Sequence, residues 1–144
     1  MFRLYSKGCE YAIKALVHVS EIGEDSNFTA KQICRKARIP EAFSRKVFQS
    51  LVKARYLRAV PGNLGGYRLA KDPNQVSVLE IVKAVDGEDT FDHCVMGSST
   101  KCDGKHACPM HETWKHTKER LLSSLELKRL INLRQVYQSG RRKK

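Results

Sequence analysis

Three cysteines and three histidines fall within nineteen residues of this chain, from His93 to His111. Seven residues separate Cys94 from Cys102, five separate Cys102 from Cys108, and two separate Cys108 from His111. Thiolate and imidazole are soft donors, and together they take zinc or an iron–sulfur centre rather than calcium or magnesium. Three thiolates and one imidazole also satisfy tetrahedral zinc, so the spacing by itself leaves both metals open. Between the donors stand Gly97, Gly104, serines, Thr100 and lysines, too polar and glycine-rich to bury a core. Such a segment becomes rigid when its donors are bound. His93 and His106 read as solvated loop residues, while Cys9 and Cys34 fall on helical faces and read as small buried hydrophobes. Catalysis is not indicated: there is no nucleophile–base pair, phosphate loop or set of paired carboxylates. Cys108 beside His111 is better read as two ligands than as a catalytic dyad.

The elements that carry this stretch must fit a chain of 144 residues, enough for one domain with an appendage. A hydrophobic content of 41% supports a folded core, and a formal net charge of +12 implies a polyanionic partner, nucleic acid or an acidic membrane surface. No apolar run approaches the ~20 residues of a membrane span, and residues 1–8 lack the apolar core of a signal peptide. An odd number of cysteines without an export signal argues against a disulfide framework. The composition therefore reads as a cytoplasmic protein with reduced thiols and no membrane partner.

Helical spacing of Ala12, Ala15, Leu16, Val19 and Ile22 after a Ser6 cap predicts a first helix that Gly23 ends. Thr29 and Gln32 form a capping box for a short second helix with Ile33, Cys34 and Ala37 on its buried face. Arg38-Ile39 is the turn, and Pro40 with Glu41 opens a third helix. There Phe43, Val47 and Leu51 stack with Phe48 and Val52, and the opposite face carries Ala42, Arg45, Lys46, Gln49 and Lys53. A short helix, a tight turn and a helix with a basic face make a helix-turn-helix. Residues 56–60 and 67–70 read as strands around a Pro61–Gly66 turn, which adds a wing. Ser77 and Glu80 form a second capping box for a helix that Gly87 ends. Beyond the cysteine stretch, Pro109 opens a helix carrying Met110, Trp114, Leu121, Leu122 and Leu125, weakened at Ser123-Ser124. Leu127, Leu130, Ile131 and Val136 suggest a further short helix before a basic tail, Arg141 to Lys144. The fold class is mainly α with a small β-hairpin wing: a winged helix-turn-helix over 1–87, a metal-binding loop over 88–108, dimerisation helices over 109–138 and a tail over 139–144.

The residues that resemble a known family are Lys7-Gly8 with Tyr11-Ala12, Leu51 to Leu57, Gly65-Gly66-Tyr67 and Ala84-Val85-Asp86-Gly87. Cys94, Cys102, Cys108, His111 and Trp114 continue the match. Over nearly its whole length the chain resembles the Rrf2 family of small dimeric winged-helix regulators, some of which sense through iron–sulfur clusters. The resemblance implies that Cys94, Cys102 and Cys108 hold a cluster, usually 2Fe-2S and in some members 4Fe-4S. It offers two fourth ligands: His111, favoured here, or Glu10, the position at which nitric-oxide sensors use an acidic residue of the partner subunit. The gap between Cys94 and Cys102 is longer than the family's usual five residues. Arg45 stands where many members have glutamate, which implies a different operator. Pro61 replaces an arginine that enters the minor groove, so that Arg58 would have to substitute.

Together these readings predict a homodimeric transcriptional regulator, repressor or activator, whose grip on double-stranded operator DNA follows cluster state. It takes no small-molecule substrate. Ala42, Arg45, Lys46 and Gln49 would face the major groove; Lys31, Arg35, Lys36, Arg38, Lys53 and Arg55 would meet phosphates; Asn63 and Tyr67 would meet backbone or minor groove. The alternative is a nucleic-acid-binding or interaction module stabilised by zinc, with no sensing role.

Overall fold

A computed structural model describes residues 3–63, 65–97, 102–105 and 108–139; Leu64, His106 and the basic tail Arg141–Lys144 lie outside the described residues. The order is α1 (Lys7–Ile22), α2 (Ala30–Ala37), α3 (Glu41–Lys53), β1 (Leu57–Val60), β2 (Gly66–Leu69), α4 (Val78–Asp86), α5 (His111–Leu127), a 3₁₀ turn (Leu130–Leu133) and α6 (Arg134–Ser139).

Helix α1 is the axis of the core. Its Ser6 cap accepts from Cys9 N–H at 3.0 Å, and Cys9, Ala12, Ile13, Leu16, Val17 and Val19 are buried along it. Asp86 at the end of α4 accepts from both the backbone N–H (2.8 Å) and the hydroxyl of Ser6, tying the α1 start to the α4 end. Both expected capping boxes form, Thr29 with Gln32 and Ser77 with Glu80, so the starts of α2 and α4 are set by local chemistry. The turn between α2 and α3 runs through Arg38 in the left-handed region (φ 54°). Pro40 caps α3 rather than joining it.

β1 and β2 pair antiparallel with Leu57 opposite Leu69 and Ala59 opposite Tyr67. The wing is fastened at Phe28, whose N–H donates to the Tyr67 carbonyl (3.0 Å) and whose carbonyl accepts from Tyr67 N–H (2.8 Å). Gly66 is required at this crossing: a Cβ there would lie 2.3 Å from the Phe28 carbonyl oxygen. The strands differ by one residue from their sequence patterns: β1 starts at Leu57 rather than Tyr56, and β2 runs from Gly66, which pairs with Val60, to Leu69, which pairs with Leu57.

The C-terminal part differs more. Helix α5 begins at His111, after a Pro109-Met110 turn, so neither of those residues is helical. It runs unbroken through Ser123-Ser124 to Leu127, as two exposed serines cost a helix only tenths of a kcal/mol each. Beyond it the chain returns to the core: Val78 N–H donates to the Lys128 carbonyl (2.9 Å), Leu130 N–H to that of Val76 (3.0 Å), and Leu130 is buried. Arg134 then donates to the Ser20 carbonyl at 2.7 Å, fixing α6 against α1.

Three protonated groups are built into this core. Burial, with Asp86 nearby, pushes the Cys9 thiol from 9.0 up to about 12. Burial and Glu80 push Tyr56 up to about 12, and burial with Tyr5 raises Tyr137. A raised folded pKa means that stability is fully present below the unfolded pKa and lost as pH rises. Denaturant midpoints are therefore expected to hold steady to about pH 9 and fall progressively towards pH 12. A flat midpoint over that window would contradict these assignments.

Candidate metal centre and DNA interface

The loop between α4 and α5 brings the donors together in two pairs. Cys94 Sγ lies 3.7 Å from Cys108 Sγ, and Cys102 Sγ lies 3.2 Å from His111 Nδ1. All four residues are half-buried. Among the described residues no three Cys, His, Asp or Glu side chains converge as one metal-holding group. The backbone explains the pairing. Cys102 N–H donates to the Asp92 carbonyl (2.8 Å), which folds the loop on itself, and His111 N–H donates to the Cys108 carbonyl (3.0 Å), which starts α5. Gly104 passes over the imidazole, where a Cβ would stand 3.3 Å from His111 Nε2, and it holds φ at +78°.

The distances suit ligation. With metal–sulfur bonds of about 2.3 Å, two thiolates on one tetrahedral ion stand roughly 3.8 Å apart, matching the Cys94–Cys108 pair. The Cys102–His111 pair needs to open by only a few tenths of an ångström. Glu10 is elsewhere. It sits in the first turn of α1 between Lys14 (2.9 Å) and Lys7 (3.0 Å), and hydrogen bonding to Lys14, then Lys7, holds its carboxyl below the usual range. Those lysines lie at i−3 and i+4 from Glu10, a pattern legible in the sequence but not drawn from it. His93 is exposed, as expected of a loop histidine. Trp114, one turn after His111, keeps its indole N–H buried without a hydrogen-bond partner among the described residues.

The basic face is continuous with the reader. Ala42, Arg45, Lys46 and Gln49 are all exposed on α3, while Val47, Phe48 and Leu51 on the other side enter the core. Phe43 lies between the two faces, its ring 5.0 Å from Tyr11. Lys31, Arg35 and Lys36 are exposed on α2, with Arg38 in the turn. Lys53 and Arg55 are exposed where α3 ends, Arg55 in the left-handed region (φ 63°). Asn63 is exposed at the hairpin tip and Arg58 on β1. Arg58 faces Arg68 directly across the hairpin, a like-charge pair that costs stability unless an anion lies nearby. Arg68, turned onto Asn27, was missed by the sequence reading, which found strands but not their register. Tyr67 is half-buried, and its ring packs 5.0 Å from Phe48 and 6.4 Å from Phe28, so it joins wing to recognition helix.

Residues 5–136 match the family model described as "Rrf2: Iron-dependent Transcriptional regulator". The chain belongs to the Rrf2 family. It is 30% identical over 137 residues to the HTH-type transcriptional regulator IscR of Photorhabdus laumondii, covering 93% of this chain and 82% of that protein. It is 31% identical over 143 residues to IscR of Klebsiella pneumoniae strain 342, covering 96% and 86%. The fold is shared with CymR, described as the global cysteine regulator of B. subtilis (TM-score 0.74, 15% identity, 94% of this chain and 98% of that one). It is shared also with IscR of T. potens (TM-score 0.69, 19% identity, 99% and 92%). The Rrf2 chain described here is thus a DNA-binding transcriptional regulator with the winged-helix fold, and it is not an enzyme. Among its described residues no helix is long and apolar enough to cross a membrane.

Proposed function

We propose that this Rrf2 protein is a homodimeric, cytoplasmic operator-binding regulator whose grip on DNA depends on a 2Fe-2S cluster held by Cys94, Cys102, Cys108 and His111. The observation that carries the reading is the division of the donors into two pairs. In a two-iron centre each iron takes two protein ligands, and the two close pairs, Cys94 with Cys108 and Cys102 with His111, support such a division. A single zinc ion would instead require all four donors at one point. A bound cluster supplies an oxidisable, removable centre; the protein supplies the coupling. Ligation would fix the loop that joins α4 to α5, while the far end of α5 is anchored on the α4 start through Lys128 and Val78. Both ends of α5 therefore report to α4, whose last residue Asp86 holds the start of α1.

The homodimer is supported by α5 itself. None of its seventeen residues, about 25 Å of helix, is fully buried within the chain; Leu122 and Leu125 pack against the chain's own core, while Leu127 at its end is 77% exposed. A second copy packed there would set two recognition helices one DNA turn, about 34 Å, apart.

The decisive experiment is purification without oxygen, followed by a visible spectrum and iron, sulfide and zinc analysis. A coloured protein with about two irons and two sulfides per chain is expected. A colourless protein carrying zinc alone would replace this reading with a structural zinc site. On DNA, Arg45→Ala is expected to cost about 1–3 kcal/mol at the preferred operator and little on random duplex. Arg35→Ala should weaken both and reduce the slope of log K against log salt by about 1. Equal losses for the two variants on both duplexes would remove the distinction between base-reading and phosphate-binding residues.

A further inference from the structure

The same loop carries a second chemistry that needs no metal. We propose that Cys94 and Cys108 form an intrachain disulfide when the cluster-free protein meets a small-molecule disulfide such as oxidised glutathione, and that this link closes the pair to iron. The first half stands on geometry alone; the second rests on the iron–sulfur reading above.

The two sulfurs are 3.7 Å apart and not cross-linked here, so bond formation at about 2.05 Å requires an approach of roughly 1.7 Å. The loop can make that movement. Cys94 is followed by exposed Val95 and Met96 and by Gly97 at φ +81°, while Cys108 precedes the Pro109-Met110 turn, so neither cysteine belongs to a helix or strand. The other cysteines are placed less well to form a link: Cys102 Sγ faces His111 Nδ1 at 3.2 Å rather than a second sulfur, and Cys9 and Cys34 are buried in the core at 0% and 7% exposure. In the reaction one cysteine sulfur attacks a sulfur of the oxidised glutathione, giving a mixed disulfide and releasing one glutathione thiol. The second cysteine sulfur then attacks the protein sulfur of that mixed disulfide and releases the other. The protein loses two protons and two electrons, and one glutathione disulfide becomes two thiols.

The test treats full-length cluster-free protein with oxidised glutathione, then alkylates remaining thiols and maps the linked peptides. A single Cys94–Cys108 link is expected, with two fewer alkylated cysteines, present in Cys102→Ser and lost in Cys94→Ser and Cys108→Ser. A link through Cys102, glutathione adducts without a link, or five alkylatable thiols would overturn the first half. Cross-linked and reduced proteins are then incubated with ferrous iron and sulfide. Iron uptake confined to the reduced form, and restored to the linked form by dithiothreitol, is the expected result. Equal uptake by both overturns the second half. No uptake by either overturns it together with the iron–sulfur reading, while the mapped link still decides the first.

Discussion

On the iron–sulfur reading, Cys108→Ser is expected to abolish iron binding while leaving the fold intact. Cys108 is half-buried, lies in the α4–α5 loop and contributes no side chain to the core, so its replacement should change stability by no more than about 0.5 kcal/mol. Its sulfur stands 3.7 Å from Cys94 Sγ, and serine offers a harder oxygen donor on a shorter bond at the same place. Loss of an outer-shell partner alone typically costs 10–100-fold in metal affinity, and loss of a direct ligand exceeds that. Iron content after anaerobic purification should therefore fall to background, with thermal unfolding matching that of the cluster-free wild type. His111→Ala should act in the same direction, because His111 pairs with Cys102, whereas Glu10→Ala should retain iron, since its carboxylate is held by Lys7 and Lys14. Wild-type iron content in Cys108→Ser, or iron loss in Glu10→Ala, would reverse the ligand assignment.

Phe48→Ala is expected to have the largest effect on stability. Phe48 is fully buried on α3, and its ring meets Tyr67 of the wing at 5.0 Å, so one side chain joins recognition helix to hairpin. Removing a buried phenylalanine costs about 3–5 kcal/mol, a large share of the 5–15 kcal/mol that separates folded from unfolded domains. Denaturant unfolding should show a markedly lower midpoint, and operator binding should weaken because the wing loses its footing on α3. Tyr67→Phe keeps the ring and should leave stability nearly unchanged. If Tyr67→Phe nonetheless weakens DNA binding, the hydroxyl contacts the duplex; if it does not, Tyr67 acts through packing alone. A Phe48→Ala protein of native stability would mean that the wing is held by Phe28 and the backbone bridge.

What could be read from the chain beforehand was whatever depends on neighbours in sequence. Caps at Ser6, Thr29 and Ser77, stops at Gly23 and Gly87, and the two faces of α3 all follow from side chains within about four residues of each other, where helical geometry leaves little choice. The candidate donors stand out in the sequence for the same reason, because spacing and softness of thiolate and imidazole are properties of the residues themselves. What waited for the tertiary structure was every relation across distance. That Cys94 meets Cys108 while Cys102 meets His111 depends on how Asp92 and Cys102 close the loop. That Arg58 faces Arg68, and that the Tyr67 ring is spent between Phe28 and Phe48, depends on hairpin register, which a shift of one residue would invert. The return of Leu130 to Val76 and of Arg134 to Ser20 on α1, the latter 114 positions away, likewise comes from burial and hydrogen bonding that no local pattern encodes.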